Sequence, residues 1–73
     1  MTAHTAIRPP LLETIDALIE HYATNGRIET AKFWTNTIKD GAIGLSDAMP
    51  NALNLYRHWV REACRETGVE YNA

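Results

Sequence analysis

PPLLETIDALIEHYATNG, residues 9–26, carries the signals that start, sustain and stop a helix. Pro9 and Pro10 suit a first turn, where a missing N–H costs nothing and φ is already close to helical. Leu11, Ile15, Leu18, Ile19 and Tyr22 then recur at helical spacing. Asn25-Gly26 supplies the left-handed cap that ends many helices. Such a stripe has to be covered, and the sequence downstream offers two further stripes of the same period.

RIETAKFWTNTIKD predicts a second helix over about residues 27–40, with Ile28, Ala31, Trp34, Thr35 and Ile38 on one face and Gly41 as its stop. GAIGLSDAMP reads as a connection flanked by Gly41 and Gly44, in which Ser46 or Asp47 caps the next helix. The third helix is expected over about 47–67, with Pro50 in or near its first turn and Gly68 near its end. Ala52, Leu53, Tyr56, Trp59, Val60, Ala63 and Cys64 form its wide apolar stripe. No stretch alternates with period two, so no strand is supported. There is no internal repeat, low-complexity segment or linker. The expectation is a single all-α domain of three helices over residues 1–73.

At 73 residues, folding buries only about 60% of the surface that the unfolded chain exposes, so the core is thin. Hydrophobic residues make up 45% and charged residues 22%, an ordinary globular balance rather than a disordered one. Small domains supplement such a core with disulfides, a metal or a second subunit. Cys64 is the only cysteine, which removes the internal disulfide and leaves self-association as the expected supplement, in the form of a homodimer. A lone cysteine and an N-terminus without an apolar core of signal-peptide length suggest a cytoplasmic protein. No apolar run approaches the roughly 18 residues needed to span a bilayer, so no membrane role is expected.

The faces turned away from the stripes carry the functional candidates. Arg57, Arg61 and Arg65 follow one another at i, i+4 and i+8, with Asn54 and His58 beside them, and form a ridge expected to face solvent or a partner. Glu13, Asp16 and Glu20 form an acidic ridge on the first helix. The two ridges are solvated surfaces with local pairs such as Glu62 with Arg65, or they pair between molecules. Phe33 falls among Glu29, Asn36, Thr37 and Asp40 rather than on the apolar stripe. It marks a helix packed on two sides or a stray exposed side chain, or else an interface anchor. Trp34 and Trp59, on the stripes, are expected in the core.

Little supports catalysis or a cofactor. His4, His21 and His58 are scattered, and His58 with Glu62 supplies two ligands where a metal site normally needs three or four. Cys64 lies six residues from His58 on one helix, points elsewhere, and reads as a small core residue. No phosphate-binding glycine loop or nucleophile elbow is present. A DNA-binding helix-turn-helix is disfavoured by the sequence pI of about 5.8, by a connection longer than the three or four residues of that motif, and by Glu62 and Glu66 near the arginines.

GRIETAKFWTNTIKDGAIGLSDAMP followed by LYRHWVREACRETGVE resembles the small helical anti-activators of bacterial quorum sensing, the QslA-like type that acts on LasR. The resemblance spans about residues 11–70. It rests on the aromatic pair Phe33-Trp34, the turn Asp40-Gly41 and the Tyr-Arg-x-Trp-Val pattern from Tyr56 to Val60. It implies a non-catalytic dimer that binds a LuxR-type transcription factor and keeps it from DNA. A phage-encoded inhibitor of a host defence system, of the anti-CRISPR kind, shares the same features, and a small DNA-binding regulator is the remaining alternative. The expected partner-binding residues are Phe33, Arg57, His58, Arg61 and Arg65, with no cofactor and a bacterial regulatory protein as target.

Overall fold

The computed structural model describes residues 9–45 and 50–72. It is all-α, with three helices and no strand among these residues. Helix α1 is Pro9–Thr24. Helix α2 covers residues 28–43 as three contiguous pieces, Ile28–Phe33, a wider π-helical segment Trp34–Lys39, and Asp40–Ile43. Helix α3 is Pro50–Thr67. None is long and apolar enough to cross a membrane. His4 and the expected caps Ser46 and Asp47 lie outside the described residues.

α1 ends as its sequence predicts. Gly26 has φ of 80°, and the amides of Arg27 and Gly26 donate to the carbonyls of Tyr22 and Ala23 at 2.8 and 3.2 Å, the paired bonds of a Schellman cap. Its buried stripe is Leu11, Thr14, Ile15, Leu18 and Tyr22. Close packing joins α1 to α2 and α1 to α3, whereas α2 and α3 approach each other only marginally. The core is Leu11, Ile15, Leu18 and Tyr22 of α1, Ala31, Trp34, Ile38 and Ala42 of α2, and Val60, Ala63 and Cys64 of α3. Leu11, Ile15, Leu18 and Val60 are the largest fully enclosed side chains, and each contributes about 1.5–3 kcal/mol relative to an exposed position. That gain opposes a backbone-ordering cost of about 1–2 kcal/mol for every residue. With extents of 40 × 20 × 17 Å the molecule is about two helix diameters thick, so every helix keeps a solvent face.

Four expectations are corrected. Gly41 does not stop the second helix, which continues to Ile43 and closes at Gly44. Gly41 is instead where the Tyr56 side chain of α3 packs against α2: a Cβ there would overlap the Tyr56 hydroxyl and ring. The segment read as a connection consequently begins later, and it supplies Ala42 and Leu45 to the buried set. Ile28 and Thr35 lie outside the stripe, Ile28 at 48% exposure and Thr35 exposed. The buried positions Trp34, Ile38 and Ala42 are four apart. At 3.6 residues per turn that spacing drifts about 40° each time, and a wider turn reduces the drift and keeps all three against α1. The Thr35 hydroxyl donates to the Ala31 carbonyl at 2.9 Å beside this segment, an i−4 back-bond of the kind that bends helices. Finally, Trp59 is not core but 39% exposed, because it lies about 100° round α3 from the fully buried Val60.

Gly41→Ala should destabilise the domain by about 1 kcal/mol or more through overpacking against Tyr56, reversing the gain of about 0.5–1 kcal/mol that alanine normally brings inside a helix. Urea unfolding of this variant beside Gly41→Ala combined with Tyr56→Phe measures it. The double variant should recover part of the loss.

Candidate functional site

α3 has two flanks with different fates. On one side of Val60 stand Trp59, Glu62 and Glu66, and on the other Arg57, Arg61 and Arg65. The first flank borders a groove of about 480 Å³ between α2 and α3, whose lining includes Tyr22, Trp34 and Ala63, with Phe33 on the α2 side and Trp59 on the α3 side. It opens because α2 and α3 meet at Gly41 and Tyr56 and share only α1 beyond that point. The rings of Tyr22 and Trp34 lie 6.0 Å apart at 39°, and Trp59 is held edge-to-face by Tyr56 at 5.2 Å, an arrangement worth about 0.5–1.5 kcal/mol beyond area burial. Phe33 is 53% exposed, so it stands outside the core as its place on the helical wheel predicts. Two large aromatic side chains left in water on opposite sides of one apolar-floored groove are the most distinctive surface feature of the molecule.

The arginine flank is less free than its spacing suggests. The chain beyond Gly68 folds back along it, with Val69 and Tyr71 packed on the core. The Arg61 guanidinium lies over the Tyr71 ring, 5.1 Å from its centroid, a contact worth about 0.5–1 kcal/mol at an exposed site. Arg57 is half-buried, and its Nε and the Tyr71 hydroxyl are enclosed without a hydrogen-bond partner among the described residues. Arg65 reaches Glu62 at 3.5 Å, the local pair read from the sequence. His58 is exposed. Of the expected outward ridge, His58, Arg61 and Arg65 are exposed, Arg61 with its guanidinium resting on Tyr71, while Arg57 is half-buried. The segment is anchored at its far end by Thr14, whose Oγ1 accepts from the Asn72 amide at 3.1 Å and lies 2.8 and 3.0 Å from the carbonyls of Asn72 and Pro10, which share its single proton. Sequence spacing could not reveal this, because the contact joins residues 58 positions apart.

The acidic ridge is also partly engaged. Asp16 pairs with Lys39 of α2 at 2.7 Å, an exposed pair worth at most about 1 kcal/mol, while Glu13 borders a second cleft between α1 and the C-terminal segment. Among the described residues no group of three or more His, Cys, Asp or Glu side chains could hold a metal ion. Cys64 is buried and free, and burial pushes its thiol above the ordinary cysteine value. Tyr22 is raised as well, chiefly by burial, with Arg27 opposing and Glu66 and Cys64 adding to the shift. No family model, curated protein or solved structure matches the chain.

Two outcomes follow from this geometry. Arg61→Glu should loosen the C-terminal segment, seen as faster amide exchange at Tyr71 and Asn72 and a stability loss of about 0.5–1 kcal/mol; unchanged exchange would return Arg61 to the solvated ridge. Tyr22 and Cys64 both favour their neutral forms in the folded state, so their contribution is complete below the ordinary cysteine and tyrosine values of about 8.5 and 10 and is lost as pH rises through the raised folded values. The melting temperature should therefore fall above about pH 9, and the fall should be smaller in Tyr22→Phe.

Proposed function

We propose that this domain is a non-catalytic protein-binding inhibitor that contacts a bacterial regulatory protein through the groove between α2 and α3. The observation that carries this reading is the pair Phe33 and Trp59, exposed at 53% and 39% on opposite sides of an apolar groove. Aromatic side chains are enriched in the energetically dominant centres of protein interfaces. A chain with so thin a core gains nothing in stability from leaving two of them in water, whereas contact with a partner gives their exposure a use.

The resemblance to quorum-sensing anti-activators supplies the class of target, a LuxR-type transcription factor held away from DNA, and a phage-encoded inhibitor of a host defence system is the alternative within the same binding mode. Of the five side chains expected to touch the partner, Phe33 borders the groove, Arg61 lies on Tyr71 of the C-terminal segment, and Arg57 is half-buried. Trp59 takes the place of the arginines in this reading. The inhibitor acts as a homodimer, supported by the thin core and by further exposed apolar side chains at Ile43 and Leu55.

The test is capture from a bacterial lysate with wild-type bait beside Phe33→Ala/Trp59→Ala bait, followed by the captured regulator's DNA binding with each protein added. A regulator enriched on the wild type, lost on the double variant and blocked only by the wild type is the expected result. Phe33→Ala alone should weaken the complex by about 2 kcal/mol or more with little change in melting temperature. Steep, log-linear loss of duplex-DNA binding with salt would instead identify a DNA-binding regulator.

A further inference from the structure

The charges that border the groove specify what fits it, given the reading that the groove is a protein-contact surface. Its α3 edge carries Glu62 and Glu66, one helical turn apart, with Trp59 one turn before Glu62. Among the described residues no cation lies within ion-pairing distance of Glu66, and Glu62 meets only the exposed Arg65 at 3.5 Å, a weak and displaceable pair. The cation bordering the groove, Arg27, is turned onto the Tyr22 ring at 5.1 Å. The groove is therefore apolar at its floor, aromatic on both sides, and acidic along one edge.

Three arguments narrow the occupant. The groove walls are helices, whose backbone groups are spent on their own hydrogen bonds, so an extended segment finds no strand edge to join. A helix satisfies its own backbone and can lay an apolar face between Phe33 and Trp59, with anchors at i, i+3, i+4 and i+7. A second copy of this chain offers no basic groove edge to pair with Glu62 and Glu66, and with the twofold axis across the groove the two acidic edges would face each other, which costs free energy.

We propose that the groove receives an amphipathic helix of the partner protein, with its apolar face between Phe33 and Trp59 and with Lys or Arg residues one turn apart on the flank that meets Glu62 and Glu66. The matching turn spacing allows both carboxylates to be paired at once. The charge complementarity sets the direction in which the helix lies, and the aromatic pair supplies most of the affinity.

The experiment uses two fluorescein-labelled synthetic helical peptides of about 16 residues, long enough to be helical, with the same leucine face and either a lysine or a glutamate flank. Binding to the full chain is followed by anisotropy. The lysine peptide should bind at least about tenfold more tightly, the preference should shrink as salt rises from about 50 to about 500 mM, and Glu62→Lys/Glu66→Lys should reverse it while leaving the helical circular dichroism unchanged. Equal affinities, unaffected by the charge reversal but reduced by Phe33→Ala/Trp59→Ala, would overturn the basic-helix assignment and leave the protein-binding reading standing. Binding indifferent to both pairs of substitutions would overturn both. Failure of the lysine peptide to bind, or sedimentation showing that Phe33 and Trp59 hold two copies together, would equally overturn the proposal.

Discussion

The structure depends on a single constraint: one apolar stripe on α1, from Leu11 to Tyr22, is the common packing surface for everything else. A chain of 73 residues cannot build a core that surrounds any helix. α2 and α3 therefore divide the stripe between them and have little left for each other. Where they do meet, Gly41 removes a side chain so that Tyr56 can approach. Past that contact, the small Ala63 and the flat rings of Tyr22 and Trp34 leave the space between α2 and α3 unfilled, and the groove is the result. The candidate site is thus a by-product of how thinly the core is spread.

The same economy explains the C-terminal segment. Val69 and Tyr71 add apolar cover to the α1–α3 side that no fourth helix provides. A segment without regular structure has to satisfy its backbone some other way, and Thr14 does so for both the amide and the carbonyl of Asn72. A threonine on a buried helix stripe looks out of place until this partner is identified. Arg61 completes the arrangement by lying on the outer face of Tyr71. Arg61, which looks like part of a recognition ridge in sequence, thus also holds the chain's own end through its contact with Tyr71.

Much of the fold was legible because the signals were local. The proline start, the i, i+4 stripe and the Asn25-Gly26 cap of α1 are all encoded within a few residues of where they act, and Gly26 takes the left-handed conformation its position demands. Val60, Ala63 and Cys64 were legible as core for the same reason. What was not legible came from contacts distant in sequence or from a departure from ideal periodicity. Gly41 read as a helix stop because a glycine's usual role is local, whereas here it serves a residue on another helix. A period of 3.6 puts Thr35 on the stripe, and the π-helical segment that contains it does not keep that period; Ile28 is exposed at the first position of α2. For the site, the displaced position of Phe33 was visible on the wheel, but the counterpart Trp59 was hidden by its adjacency to Val60. One residue's rotation about a helix is enough to carry a tryptophan from core to surface.

That rotation also explains why α3 presents two surfaces of opposite character. Val60 at the centre of the buried face puts Trp59 and Glu66 on the flank toward α2, and Arg57 and Arg61 on the flank toward the C-terminal segment. Had the core been centred one position earlier, on Trp59, the arginines would have turned toward solvent and the aromatic would have filled the space between α2 and α3. The choice follows from volume. Val60 is fully enclosed in the core, and a tryptophan in its place would be a small-to-large change of the kind that strains close packing. Close packing against α1 therefore expels the larger ring to the groove, and the exposed aromatic on which the functional reading rests is a consequence of core packing.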